Sequence, residues 1–266
     1  MPALHRPHGG EAVEASVPDP PWRTPRTARA ARQPLTRERI VDAALRVLDR
    51  DGLDAVSMRR VGQELATGAA SLYVHVANKD ELLELLLDRV AGEIRVPPPD
   101  PPRWREQVEE LGRAIRRALL AHPGIARVSI AGVPAGPNAL ALTEGALAIL
   151  RAGGLPERAA AWAVDRLILY VSADAVEESA DRAHRLGPGP AAGLEPGQEQ
   201  EQETAGERRA RVGAWLAALP PDRFPNTVAL VDAFMAPGDE RFEFGLGLLV
   251  RGLAGVAAED QGLSGR

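Results

Sequence analysis

The sequence predicts an all-α protein in which a small N-terminal head of three helices, two of them forming a helix-turn-helix, precedes a larger helical body. Three observations predict it. Apolar residues recur at three- and four-residue spacing in stretch after stretch, and no run alternates as a strand would. Ser, Thr or Asn opens many of these stretches and Gly or Pro closes them, the punctuation of helices. Between Ser57 and Lys79, two short helical patterns are separated by only a tight turn.

Residues 1–33 are rich in Pro, Ala, Gly and charge without sustained apolar periodicity, the composition of a disordered arm. Arg23, Arg26, Arg29 and Arg32 recur there every third residue; they suit either extra phosphate contacts and a minor groove or a solvated tail. His5 and His8 have no further metal ligand nearby.

Thr36 caps a first helix to about Arg50, with Ile40, Ala44, Val47 and Leu48 on one face and Asp51-Gly52 as its stop. Ser57 caps the next helix and Thr67 the one after it. Val61 and Leu65 face inward, and Leu72 meets them from the second helix of the pair. Arg59, Arg60, Ser71, Tyr73, His75 and Lys79 are then left outside, side chains of the kind that reach phosphates and base edges. Asn78, with Glu81 three residues on, opens a fourth helix in the manner of a capping box. Its Leu82, Leu83, Leu86, Leu87, Val90 and Ile94 carry more apolar surface than the head can cover, so a second domain is expected against it.

The Pro-rich run 97–102 marks the junction between a head of residues 34–95 and a body of residues 96–258. Helices are expected at about 103–121, 124–131, 137–152, 157–181, 207–219, 226–235 and 239–256, with a mobile, Gly/Pro- and Glu/Gln-rich loop at 186–206. The last helix carries Phe242, Phe244, Leu246, Leu248, Leu249, Val250 and Leu253, apolar nearly all round, which predicts burial on several sides.

With 266 residues, 45% of them hydrophobic, the chain can bury a sizeable core as one large or two modest domains. It has no Cys, which excludes disulfide scaffolds and cysteine-based zinc sites. No apolar run approaches the length of a membrane span and the N-terminus lacks a signal-peptide core, so the expected location is the cytoplasm. The net charge of -5 argues against binding nucleic acid through bulk charge, whereas a sequence-specific reader needs only a local basic face.

Residues 36–95 resemble the N-terminal DNA-binding domain of the TetR family of bacterial transcriptional regulators. The resemblance lies in Ile-Val-Asp-Ala-Ala-Leu from Ile40, Asp-Gly-Leu-Asp-Ala-Val-Ser-Met-Arg-Arg-Val from Asp51, and Leu-Tyr-Val-His-Val-Ala-Asn-Lys-Asp-Glu-Leu-Leu from Leu72. The body resembles the tetracycline-repressor branch more loosely, in Ala-Leu-Leu-Ala-His-Pro-Gly-Ile-Ala-Arg-Val from Ala118, Val-Glu-Glu from Val176, and Phe-Glu-Phe-Gly-Leu-Gly-Leu-Leu-Val-Arg-Gly-Leu from Phe242. The resemblance implies that Arg59 reads a guanine, that Ser57 caps and touches phosphate, that Ser71 and Tyr73 lie on the recognition helix, and that His75 and Lys79 anchor the DNA backbone. Ala69 and Ala70 stand where the branch has Gln-Pro; they cannot hydrogen-bond bases, so the operator must differ, with thymine methyls as one target.

The same comparison argues against a magnesium-tetracycline effector. Ser129, Leu111 and Ile115 occupy the positions of its imidazole and polar groups, and one carboxylate, Glu177 or Glu178, does not make a site for a hard cation. The reading is therefore no metal, no cofactor, and a small apolar or amphipathic effector in a pocket lined by Trp104, Leu111, Ile115, Val128, Trp162 and Tyr170. His122, behind a helix break, is read as a turn histidine with satisfied hydrogen bonds. A homodimer on a pseudo-palindromic duplex follows, because one helix-turn-helix offers too few base contacts. The interface candidates are the helices around 159–180 and 242–256, with Gly245 and Gly247 permitting close approach in a four-helix bundle. Two alternatives are an all-helical enzyme or small-molecule carrier and a helical interaction module without DNA; the chain lacks the nucleophile-elbow, phosphate-loop and paired-His zinc motifs.

Overall fold

The computed structural model describes residues 34–132, 135–186 and 205–264. The expected N-terminal arm, with its four arginines, and nearly all of the expected loop 186–206 lie outside them. Every regular element among the described residues is helical.

The head begins with α1, Arg37–Asp51, whose N-terminus is capped by Thr36 Oγ1 accepting from the Arg39 backbone N–H at 3.3 Å. It buries Ile40, Ala43, Ala44, Val47 and Leu48 completely, a single stripe at helical spacing. Gly52 ends it with φ 81, a left-handed conformation that costs other residues more. α2, Met58–Glu64, starts on Ser57, whose Oγ accepts from the Arg60 N–H at 3.2 Å. α3, Ala69–Leu72, is a single turn, and its cap is Gly68, not Thr67 as the hydroxyl had suggested. The Thr67 N–H is donated to Gly62 O at 2.8 Å, closing the turn that contains Ala66, whose φ is 51. Thr67 is thus inside the turn, one residue too early to cap.

α4, Lys79–Ala91, is capped by Asn78 Oδ1, which accepts from the Glu81 N–H at 2.8 Å. The reciprocal bond reaches one residue further back than in an ideal capping box, from the Ala77 N–H to Glu81 Oε2 at 2.5 Å. Leu82, Leu86 and Val90 are sealed against the head and body alike, while Leu83, Leu87 and Ile94 pack at the margin of the same core.

The body consists of α5 (Trp104–Ala121), α6 (Ile125–Ala131), α7 (Pro137–Ala152), α8 (Glu157–Leu186), α9 (Ala205–Ala217), α10 (Pro225–Ala229), α11 (Val231–Phe234) and α12 (Gly238–Ser264). The expected single helix at 226–235 is broken at Leu230, and α8 and α12 run past their expected ends. α5 is the axis of the body, packed on α4, α6, α7, α8 and α12. The proline run leading to it is pinned by Gln107, which accepts from the Asp100 N–H at 2.8 Å and donates to Pro98 O at 2.9 Å. One hydrophobic core runs from α1 to α12 without interruption at this run.

Two polar contacts fix the helices around α5. Buried Arg116 bonds Asp174 of α8 at 2.6 Å and Asp239 of α12 at 2.5 Å, with its guanidinium 4.5 Å above the Phe242 ring. Buried Asp88 of α4 accepts from the backbone N–H groups of Asn138 and Ala139, both at 2.9 Å, and from Asn138 Nδ2 at 3.0 Å. A carboxylate from one helix therefore caps the N-terminus of another, α7, and complements its dipole. Gly136 makes room for it: a Cβ there would lie 2.1 Å from the Asp88 carboxyl carbon.

The last helix is not buried on several sides. Phe242, Leu246 and Val250 are sealed on one face, but Phe244 is 68% and Leu248 56% exposed on the other. No helix among the described residues is long and apolar enough to cross a membrane.

Candidate nucleic-acid interface and ligand cavity

Leu72 and Val76 are both fully buried and hold the segment after the turn onto the head from behind. The chain keeps helical curvature past the end of α3, since the His75 and Val76 N–H groups both donate to Leu72 O, at 2.9 and 3.0 Å. Residues opposite Leu72 and Val76 must then face outward. Ala70, Ser71, Tyr73 and Val74 are exposed there, Tyr73 by 53% and Val74 by 82%. Ala69 is not among them: it is half-buried, with its backbone within 3.2 Å of where a Gly62 Cβ would stand. Close approach of α2 and α3 at Gly62 absorbs it into the turn. His75 is half-buried, and its carbonyl accepts from Arg37 Nε at 3.1 Å. Lys79 is exposed in the first turn of α4, beside this face in sequence.

The cations of the head divide into two sets. Arg60 bonds Asp51 through Nε and Nη2 at 3.2 and 2.9 Å; Arg50 bonds Asp51 and Glu64; Arg46 bonds Glu64 at 3.4 Å. The Arg50 guanidinium holds the Asp51 and Glu64 carboxyls below the usual carboxylate range. Arg60, expected among the outward cations, is thus half-buried and turned onto an acid, which already satisfies its planar fork. Arg59 is exposed and, among the described residues, forms no ion pair. Ser57 is half-buried, with its hydroxyl used as the cap.

Head and body meet at His122. Its Nδ1 lies 2.7 Å from Asp49 Oδ1 near the end of α1, and its Nε2 lies 3.1 Å from Glu93 Oε2 just past α4. Burial disfavours the charged ring, but the two carboxylates outweigh it and hold the imidazole pKa above its ordinary value. Close by in sequence, Arg127 of α6 lies 3.6 Å from Asp54, and a Cβ on Gly124 would meet Leu53 Cβ at 2.8 Å.

The six expected pocket residues do not line one cavity. Ile115, only 4% exposed, borders a narrow apolar cavity of about 40 Å³ with Leu87, Val90 and Ile94 of α4, Ser129 of α6 and Ile168 of α8. Ser129, Thr143 and Ile168 also border an open cleft of about 350 Å³ between α6, α7 and α8, together with Asp165 and Leu169. Val128 faces a different surface cleft, with Leu83 and Arg127. Trp104 is core, its indole occupying the space a Cβ on Gly153 would need. Leu111 is core as well. Tyr170 stacks on Phe242 and donates to Phe242 O at 2.9 Å, and Trp162 is 61% exposed beneath Arg158. Periodicity identified these side chains as apolar but could not say which of them a cavity separates.

The cavity's polar groups are few. Ser129 and the buried Ser172 hydroxyls share a hydrogen bond at 2.9 Å, and Thr143 Oγ1 donates to Ala139 O at 2.9 Å. Glu177 is paired with Arg241, and Glu178 with Arg182 at 3.0 Å. Among the described residues no three His, Asp or Glu side chains gather as metal ligands do.

A separate apolar groove of about 450 Å³ runs between α8 and α12, bordered by Trp162, Leu167, Leu249, Leu253 and Val256. Gly245, expected to let helices of two subunits approach, instead accommodates Tyr170 of the same chain, whose Oη would lie 2.2 Å from a Cβ there.

Residues 40–86 match the model of bacterial regulatory proteins of the tetR family, and residues 98–257 match that of the tetracyclin repressor-like C-terminal domain. Among curated proteins, a helix-turn-helix transcriptional regulator of Saccharopolyspora erythraea is 39% identical over 176 residues, 65% of this chain and 75% of that protein. The transcriptional repressor DrrR1 of Streptomyces coeruleorubidus is 31% identical over 251 residues, 90% of this chain and 84% of that one. Among solved structures, apo ActR of Streptomyces coelicolor superposes with a TM-score of 0.73 at 42% identity, covering 85% of this chain and 99% of its own. ActR in complex with actinorhodin gives 0.72 at 45% identity over 83% and 95%.

Proposed function

The chain belongs to the TetR family of bacterial transcriptional regulators, and from that premise we propose that it is a homodimeric repressor released from its operator by a small apolar or amphipathic molecule. In this reading residues 34–95 are the DNA-reading head and residues 96–258 the effector-binding and dimerising body. The protein acts in the cytoplasm on a pseudo-palindromic duplex and catalyses no reaction. The observation that carries the reading is the outward face of the head, where exposed Arg59, with no ion pair among the described residues, and exposed Tyr73 flank a turn held from behind by buried Val61, Leu72 and Val76.

Arg59 meets O6 and N7 of a guanine with its guanidinium fork. Ser57, Ser71, Tyr73, His75 and Lys79 position the head on sugar and phosphate, and Ala70 lies against base edges. Arg60 and Ala69 support this face from within the head instead of touching DNA. The exposed face of α8 and α12, with Trp162, Phe244 and Leu248, joins the partner in a four-helix bundle and sets the two heads roughly 34 to 36 Å apart, one turn of duplex.

The effector enters the cleft between α6, α7 and α8 and extends into the narrow cavity behind it. That cavity is far too small for a drug-sized molecule as it stands, so occupancy must move its walls, among them Leu87, Val90 and Ile94 on or next to α4. Because α4 carries the head, the motion changes the spacing of the two reading faces. A differential affinity of a few kcal/mol between the two arrangements is enough to release operator. ActR, which matches 83% of this chain, has been solved with actinorhodin bound, which supports a body of this build accepting a small molecule.

The test is a gel-shift titration on a duplex selected by the full chain. Arg59→Ala should weaken binding about tenfold or more, in line with about 1–3 kcal/mol for a bidentate base contact, and Tyr73→Ala should weaken it through the lost backbone contact. If neither does, the assignment of this face to DNA is wrong.

A further inference from the structure

The most exposed large apolar side chain among the described residues is Val74, 82% open to solvent between Tyr73 and His75. It is not at a frayed end: Leu72 and Val76 on either side are completely buried, so the backbone that carries Val74 is fixed and its direction is set. Ala70, four residues earlier on the same helical curvature, is exposed on the same side. The exposed side chains beside Val74 that can hydrogen-bond are Ser71 and Tyr73, and the exposed cations Arg59 and Lys79 form no ion pair among the described residues.

Resting on the reading of this face as a DNA interface, we infer that Val74, together with Ala70, is a specificity-determining residue that reads thymine through its 5-methyl group. A valine side chain has neither donor nor acceptor, so it cannot read the purine edges or the cytosine amine. The only apolar feature that the major groove presents is the thymine methyl. Flanking cations that attract phosphate would bring this patch into the groove instead of against another protein surface. Each half-site then contains a guanine read by Arg59 and, a short distance along the groove, a thymine read by Val74.

The experiment begins with selection of duplexes from a random pool by the full-length protein, followed by replacement of each thymine of the enriched half-site with deoxyuridine, which removes only the methyl. At one thymine position wild type should lose about fourfold in affinity per half-site, the worth of one buried methyl, and about fifteenfold when both copies are replaced. Val74→Ala should bind the methylated site more weakly and be indifferent to the same replacement. Val74→Asn should shift the selected base at that position away from thymine while the Arg59 guanine is kept. Circular dichroism and melting of both variants should match wild type, since the side chain touches little of the head.

Enriched sites whose affinity is unchanged by every deoxyuridine replacement would overturn the inference and leave the DNA-binding reading intact. So would a Val74→Ala variant that remains as sensitive to methyl removal as wild type. A pool from which no duplex is enriched would overturn both.

Discussion

At the scale of single residues, the most consequential side chain outside the reading face is His122. Its two ring nitrogens face carboxylates on both sides, Asp49 of α1 at 2.7 Å and Glu93 just past α4 at 3.1 Å, and a protonated ring donates to both. Its pKa in the folded chain lies above the ordinary 6.5. A group raised in this way contributes its full stabilisation below about pH 6.5, and the contribution is lost as pH rises through the higher folded value. Wild type should therefore exceed His122→Gln in melting temperature most at pH 6, with the gap narrowing above neutrality; parallel pH curves for the two would refute a charged clamp. What the sequence revealed at this scale was residue type and phase. Arg59 and Tyr73 could be placed outside by phase alone, and so could Val74, whose position opposite Leu72 and Val76 is the signal that was overlooked. Arg60 could not be resolved, because its partner Asp51 is nine residues away and the geometry of the intervening turn decides whether they meet. The half-burial of Ala69 is out of reach of the sequence for a similar reason, since it follows from the close passage of Gly62.

At the scale of elements, the tie between α4 and α7 is the feature with no local signature. Asp88 sits in an apolar helix face where a carboxylate looks out of place, and its three donors come from residues 50 and 51 positions later. Asp88→Ala leaves the first N–H groups of α7 without their acceptor and should cost about 1 kcal/mol, up to about 2, the usual worth of an N-cap. Gly136→Ala should be at least as damaging, since its methyl would displace the same carboxylate. Urea denaturation measures both; a Gly136→Ala variant as stable as wild type would show that the cap is dispensable. Caps formed within a few residues, at Thr36, Ser57 and Asn78, were legible from sequence because donor and acceptor are neighbours in the chain. Thr67 is the last residue of the turn closed by its N–H on Gly62 O, and the helix starts one residue later on Gly68, which has no side chain to cap it. The break at Leu230 gave no sequence signal.

At the scale of the whole molecule, the long outer helices α8 and α12 leave Trp162, Phe244, Leu248 and Val256 uncovered in a single chain. Large apolar residues concentrated on paired helices mark an association surface more often than scattered ones do. Phe244→Glu with Leu248→Glu should convert the protein to a monomer in sedimentation equilibrium without loss of helical content, and operator affinity should fall by more than a hundredfold because each half-site is then bound alone, an effect of about 3 kcal/mol or more. A double variant that still sediments as a dimer would place the interface elsewhere. The all-helical fold and its helix order were readable from periodicity and punctuation. The lining of the narrow cavity beside α4 was not, because it depends on which apolar faces fail to touch, and that is settled by the packing of five helices at once.

The pairing of Arg46, Arg50 and Arg60 with Asp51 and Glu64 reaches beyond the head itself. Cations already matched by acids on their own surface displace few counterions from a duplex, and each phosphate contact forgone removes about 0.9 from the dependence of log affinity on log salt. Affinity for duplex of arbitrary sequence should therefore be low and only shallowly dependent on salt, so that fewer copies would be held away from the operator by the rest of the genome.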